Sequence, residues 1–80
     1  MLTDLKSAKK VTGAKQVTRA LKNGTARRVF LAQDADPGVT GPVEALCVQK
    51  GVETVKIPGM RELGQACGIA VGAAVAALVQ

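Results

Sequence analysis

The chain is 80 residues long, 48% hydrophobic and 21% charged, and it carries a formal net charge of +5. This length predicts one small domain over residues 1–80, and the composition excludes intrinsic disorder. Phe30 is the single aromatic residue, and histidine is absent. We therefore expect a core of valine, alanine, leucine and isoleucine. Catalysis or metal binding by histidine side chains is excluded.

The first part of the chain predicts two helices, each followed by a strand. Apolar residues at helical spacing indicate a short helix from Leu2 to Lys9, and the "KVTG" that follows predicts a brief strand ended by Gly13. From Lys15 to Lys22 the apolar side chains again recur at helical spacing, and Asn23-Gly24 closes this second helix. The segment "RRVFLA", which ends in a continuous apolar run, then predicts a strand that is covered on both faces.

The rest of the chain continues this alternation. The segment "QDADPG", residues 33–38, predicts a loop because its acidic-proline-glycine end is typical of a turn. A helix is predicted from Val43 to Lys50, a strand at "ETVKI", and a helix from Met60 to Cys67. The most apolar segment, "IAVGAAVAALV" at residues 69–79, is too short to span a bilayer, so we expect a buried strand there, mainly from Ala73 to Val79.

Helices thus alternate with strands along the whole chain. This order favours an α/β fold with a mostly parallel sheet and helices on both of its faces. The sequence has no linker, low-complexity segment or internal repeat that would divide it.

Positive charge is concentrated in the first half of the sequence. Residues 1–40 contain eight lysines and arginines against three aspartates, whereas residues 41–80 contain three basic and three acidic residues. No acid lies between Leu5 and Gln33. A one-sided positive field attracts polyanions, so this distribution is typical of nucleic-acid binders. The alternative is that the lysines only keep a small domain in solution.

The stretch "GAKQVTRALKNG", residues 13–24, carries the strongest local signal. On a helix that begins near Ala14, three cations form one row that faces solvent. The row consists of Lys15, Arg19 and Lys22. Gly13 leaves the first amide groups accessible at the positive end of the helix dipole, and Gln16 adds a donor and an acceptor for a base edge. The pattern predicts an anion-binding corner that would bind a nucleic acid without aromatic stacking, and a merely solvated helix is the alternative.

The groups that catalysis needs are scarce. Histidine and tyrosine are absent and Ser7 is the only serine, so the common nucleophile and base arrangements are missing. Asp34 and Asp36 are the nearest approach to an Mg²⁺ site, but two acids beside a proline more often shape a loop. Cys47 and Cys67 lack the spacing of a zinc site, and without an apparent signal peptide we expect both to be buried and reduced. We expect no metal, no cofactor and no enzymatic activity; a small enzyme built around the two aspartates is the alternative.

Three segments resemble one family. "GAKQVTRALKNG" looks like the signature of the L-seven-Ae class of large-subunit ribosomal proteins, the kink-turn binders. "VFLAQDADP" is similar to the second strand and acidic-proline loop of that family, and "VKIPGMRELGQACGIAVGAAVAALV" is similar to its last third. The resemblance covers nearly the whole chain, in order and at matching spacing. The shortness of the chain resembles the bacterial branch of these proteins.

This resemblance implies a fold and a function. The fold is a three-layer α/β/α sandwich with a mixed four-stranded sheet, and the family has neither enzymatic activity nor a cofactor. The ligand it implies is a kink-turn, an RNA helix sharply bent at a bulge that is flanked by tandem sheared G·A pairs. The residues that match the groove contacts of the family are Gly13, Lys15, Gln16 and Arg19, and Ala14 and Lys22 belong to the same helix. The loop that matches the contact with the kink and its extruded nucleotide is Gly68, Ile69, Ala70 and Val71.

The sequence departs from the family at two places. Archaeal members usually have Asn-Glu where this chain has Lys15-Gln16, and an acid where it has Ala70. Glutamine still accepts a hydrogen bond from a guanine edge, without the strength that a carboxylate charge adds.

We expect a cytoplasmic, monomeric protein with no membrane partner that binds structured RNA, with ribosomal RNA among the candidates. The alternative is a protein-interaction module on the ribosome with incidental RNA contact.

Overall fold

The structure is a computed structural model that describes residues 9–80. The helix predicted from Leu2 to Lys9 falls almost entirely outside these residues. The described residues form the strands β1 (Lys10–Thr12), β2 (Ala26–Ala32), β3 (Glu53–Ile57) and β4 (Val75–Val79) and the helices α1 (Ala14–Asn23), α2 (Pro37–Lys50) and α3 (Met60–Cys67). Within this part of the chain, none of the helices combines the length and the apolar character that a membrane span requires.

The four strands form one mixed sheet with the order β1-β4-β2-β3. β4 lies between β1 and β2 and is antiparallel to both, whereas β2 and β3 run parallel. The mixed four-stranded sheet that the resemblance implies is therefore confirmed. The mostly parallel sheet that the alternating order favoured is wrong, because β2 and β3 are the single parallel pair among these strands.

The direction of β4 follows from the path of the chain after α3. Gly68 takes a left-handed conformation, with a φ of 77°, and reverses the chain. The next residues return alongside α3, so that the amide of Ala73 donates to the carbonyl of Met60 over 3.0 Å. β4 therefore starts at the same end of the sheet as α3, which is the end where β2 finishes. It must therefore run antiparallel to β2. The strand expected mainly over Ala73–Val79 therefore begins two residues later, at Val75, because the preceding residues make this return.

Two apolar cores lie on opposite faces of the sheet and make the fold a three-layer sandwich. The core between the sheet and the pair α1 and α2 contains Val17, Leu21, Val29, Leu31, Val43, Cys47, Val75 and Ala77. The core between the sheet and α3 contains Phe30, Ala32, Ala35, Ile57, Leu63, Ala66, Cys67, Ala73 and Ala76. Successive residues of β4 enter the two cores in turn, as side chains that alternate along a strand must do.

α2 begins earlier than the sequence pattern predicted. The helix expected from Val43 starts at Pro37, which occupies its first position, where a missing N–H costs nothing. Asp36 precedes it in a non-helical conformation, and its carboxylate accepts a hydrogen bond from the amide of Gly38 over 2.8 Å. The acid and the proline are therefore a helix cap rather than a free turn. Gly38, Gly41 and Pro42 conceal the helix in the sequence because all three residue types disfavour helix interiors.

Cys47 and Cys67 are both free and buried, as predicted. Burial raises the pKa of each thiol above its ordinary value of 9.0, with a smaller rise at Cys47 from the Glu44 carboxylate and a partial offset at Cys67 from Lys10. The contribution of the buried thiols to stability is thus fully present below about pH 9 and is lost as the pH rises through their folded-state pKa.

Neither cysteine should be needed for the fold. Cys47→Ala and Cys67→Ala should each lower the free energy of unfolding by about 1–2 kcal/mol at neutral pH, because each removes a small, well-packed side chain. Urea unfolding curves measured with and without reductant check this. A wild-type protein that loses stability when reductant is added would contradict the prediction.

Candidate nucleic-acid interface

α1 has an apolar face and a charged face. Val17, Ala20 and Leu21 are buried, and they recur at the spacing that places them on one side of a helix. The cations on the other side are Lys15, Arg19 and Lys22, all of them exposed. Lys15 and Lys22 are seven residues apart, which is about 10 Å along a helix axis. The positive row expected from the sequence is therefore present on the surface.

The start of α1 has no side-chain cap. Gly13 has a φ of 90° and a ψ of 147°, a conformation that residues with a Cβ rarely adopt. Its amide donates to the carbonyl of Val75 over 3.0 Å, and its carbonyl accepts the first helical bond, from Val17. Within residues 9–80, the amides of Ala14, Lys15 and Gln16 have no acceptor. Among the described residues, three N–H groups are therefore left for an anion at the positive end of the helix dipole.

The second predicted segment is the loop between α3 and β4. Ala70 is exposed, and Val71 is 71% exposed, an unusual position for a large apolar side chain. Ile69 is half-buried and packs against the core beneath α3, and its amide donates to the carbonyl of Gly64 over 3.1 Å. Ile69 therefore anchors the loop to the core, whereas Ala70 and Val71 form its solvent-exposed part.

The fold brings the start of α1 and this loop to one edge of the molecule. The loop leads directly into Val75, the residue whose carbonyl accepts from the Gly13 amide. The predicted site residues that are exposed are Gly13, Lys15, Gln16, Arg19, Lys22, Gly68, Ala70 and Val71, while Ala14 and Ile69 are half-buried. Lys22 lies at the far end of α1, whereas Gly13 marks the start of the helix, next to the point where the loop enters β4.

The cations of α1 are available to an anionic ligand. The ion pairs within residues 9–80 join Arg28 to Glu53 over 2.6 Å and Lys56 to Glu44 over 3.5 Å. Neither involves Lys15, Arg19 or Lys22. An open groove of about 230 Å³ runs beside α1, and Gln16, Arg19 and Asn23 line it. Neutral amides and an arginine, groups that can contact base edges, therefore line this groove together with the apolar side chains of Val11, Ala20 and Val79.

The two aspartates act as caps of helices in this structure. Asp36 caps α2, and Asp34 accepts a hydrogen bond from the amide of Met60 at the start of α3 over 2.7 Å. The part of the chain that the structure describes contains no group of three or more histidine, cysteine, aspartate or glutamate residues placed to hold a metal ion. The geometry thus favours the loop-shaping interpretation of these acids over a metal site.

Sequence reasoning missed Gly64. A Cβ at this position would collide with the carbonyl oxygen of Val71 and would lie 3.1 Å from the Cα of Gly72. The glycine therefore lets the exposed loop pack against the backbone of α3. A glycine inside a helical pattern is the one signal in the sequence that indicates such a close approach.

Comparisons with known proteins identify the family of the chain. A sequence model of the family described as "Ribosomal protein L7Ae/L30e/S12e/Gadd45 family" matches residues 2–80. A protein from Geobacillus sp. (strain WCH70) named "RNA-binding protein" is 42% identical over 76 residues, which cover 95% of this chain and 93% of that protein. Another so named, from Caldanaerobacter subterraneus subsp. tengcongensis, is 45% identical over 69 residues, 86% of this chain and 84% of its own.

A solved structure gives the same result. The "15.5kD RNA binding protein" of Giardia lamblia superimposes with a TM-score of 0.90 and 30% identity, covering 99% of this chain and 70% of that one. Its match extends the likeness from sequence to the three-layer architecture. The chain belongs to the ribosomal protein L7Ae/L30e/S12e/Gadd45 family.

Proposed function

We propose that this protein is a non-catalytic RNA-binding protein that recognises kink-turn RNA. The observation that carries the proposal is the juxtaposition of an uncapped, basic helix start with an exposed apolar loop, joined by the bond from Gly13 to Val75. The relatives named RNA-binding proteins support the RNA part of the proposal. The RNA belongs to the ribosome or to a structured regulatory element, and the protein binds it in the cytoplasm as a monomer.

The two parts of the surface have different roles in this proposal. The free amides at the start of α1, with Lys15 and Arg19, bind phosphates, and Gln16 contacts a base edge in the widened groove. Val71 offers an apolar contact to an unstacked base. Phe30 is fully buried and is the only aromatic residue of the chain, so no base can stack on an aromatic platform. Recognition therefore depends on charge, polar edges and the bent shape of the RNA.

A gel-shift comparison tests the proposal. The protein should bind a kink-turn more tightly than the same RNA in which the G·A pairs are replaced by G·C pairs. The replacement keeps the number of phosphates and removes the sheared edges and the bend. Equal binding to both RNAs would refute kink-turn recognition and would favour a protein-interaction module whose RNA contact is incidental.

Variants of α1 should separate recognition from attraction. Gln16→Ala should cost about 1–3 kcal/mol for a kink-turn and little for plain duplex, because the neutral amide contributes to base reading and not to the field. Lys22→Ala should weaken the binding of both RNAs alike, because Lys22 lies farther from the helix start. It should also reduce the slope of log K against log salt by about one unit. Arg19→Ala should show both effects.

The measurement is a set of binding curves at several salt concentrations on the two RNAs. Lys22 serves as the comparison, since it lies on the same helix and is also exposed to solvent. If Gln16→Ala and Lys22→Ala gave the same pattern, α1 would be only a charged surface.

A further inference from the structure

The start of α3 is capped by a residue from another part of the chain. Its own N-cap residue, Gly59, has no side chain that could accept a hydrogen bond. Asp34, which follows β2 and is 26 residues away from Met60 in sequence, supplies the acceptor: its Oδ1 lies 2.7 Å from the Met60 amide. A carboxylate in this place satisfies a free amide and also complements the positive end of the helix dipole. Asp34 thus fixes the first turn of α3 to the sheet.

Met60 in turn supports the loop that precedes β4. Its carbonyl accepts from the amide of Ala73 over 3.0 Å. Gly72 lies so close to it that an added Cβ would be 3.2 Å from the Cβ of Met60. Met60 therefore connects two parts of the structure: its amide donates to the Asp34 carboxylate, and its carbonyl accepts from the loop. The exposed Val71 directly precedes Gly72 in the loop.

We propose that Asp34 is a positioning residue for RNA recognition, which sets the loop with Ala70 and Val71 relative to the start of α1. This inference depends on the kink-turn function proposed above. Asp34 touches no RNA in this role. Without its carboxylate, the first turn of α3 loses its cap, and Met60 no longer holds Gly72 and Ala73 in one place. The loop then samples several positions, and a ligand that needs one of them binds more weakly.

Three variants test the proposal. Asp34→Ala removes the cap and one negative charge, and Asp34→Asn removes the charge but keeps an oxygen that can accept from the Met60 amide. Glu62→Ala is the matched control, because Glu62 is an exposed acid in the first turn of the same helix. It removes the same charge near the same helix start and leaves the cap in place. Urea unfolding of each variant establishes that the protein is folded at the assay temperature.

The expected results differ between the variants. Relative to Glu62→Ala, Asp34→Ala should bind a kink-turn about tenfold more weakly and plain duplex equally well, because only the kink-turn needs the positioned loop. Asp34→Asn should stay within about twofold of the control. In NMR spectra of the free proteins, the amide resonances of Val71, Gly72 and Ala73 should move in Asp34→Ala and keep their positions in Glu62→Ala.

Two outcomes would overturn the inference while the proposed function stands. One is an Asp34→Ala variant that keeps the wild-type preference for the kink-turn. The other is an Asp34→Asn variant that loses as much preference as Asp34→Ala, which would assign the effect to charge. A wild-type protein that does not distinguish the two RNAs would refute the proposed function and the specificity role together, and the loop resonances would then decide whether Asp34 holds the loop.

Discussion

Gly64→Ala should lower the free energy of unfolding by about 3 kcal/mol and weaken kink-turn binding at least about tenfold. The added Cβ would fall well inside van der Waals distance of the Val71 carbonyl oxygen, and 3.1 Å from the Cα of Gly72. Both neighbours are backbone atoms, so no flexible side chain can give way. Either α3 or the loop must shift by about 1 Å, a displacement large enough to spoil a binding geometry. Urea unfolding and titration with a kink-turn measure the two effects.

Gly41→Ala is the control for this change. Gly41 also lies inside a helix, α2, but a Cβ there meets no heavy atom of another element within 4 Å, and its backbone has no positive φ. Alanine at this exposed position should change the stability by less than about 1 kcal/mol, because crowding of the new Cβ by the ring of Pro42 offsets the gain in helix propensity, and it should leave RNA binding unchanged. If Gly64→Ala behaved like Gly41→Ala, the close contact between α3 and the loop would not determine where the loop lies.

The sequence predicts the elements of this fold better than it predicts how they are connected. β3 and α3 begin and end where the pattern placed them, because hydrophobic spacing and glycine caps are local signals. The direction of β4 has no such signal. It depends on the return of the chain after Gly68, which needs contacts between Gly64 and Val71 and between Met60 and Gly72. These contacts join residues on different elements, and periodicity carries no information about them.

The candidate site divides in the same way. The charged row and the bare start of α1 follow from the spacing of Lys15, Arg19 and the buried Val17, so the residues alone predict that half. The loop with Val71 was assigned from the resemblance alone, since a run of small apolar residues predicts a strand. The loop ends at the start of α1 because Gly13 donates a hydrogen bond to Val75 and because β4 is inserted next to β1. The long-range cap from Asp34 has no signal in the sequence beyond an acid in a loop.

Neutralising the charged row should have the largest effect on RNA binding in general. The triple change Lys15→Gln, Arg19→Gln and Lys22→Gln should lower the affinity for both kink-turn and plain duplex RNA by about a hundredfold at moderate salt. The slope of log K against log salt should fall by about two to three units, because each lost phosphate contact removes about 0.9 of a unit on a duplex. All three side chains are exposed and outside the two cores, so the stability should change little.

A second triple variant decides whether the place of the charges matters or only their number. Lys50→Gln, Lys56→Gln and Arg61→Gln also remove three positive charges from the net charge of +5, from exposed positions in the second half of the chain. This variant breaks one exposed ion pair, between Lys56 and Glu44, which contributes little to stability. If RNA binding follows the field of α1, this variant should keep most of the affinity and nearly the whole salt slope. Equal losses in the two triple variants would mean that net charge alone attracts the RNA, and that the surface around α1 is not its binding site.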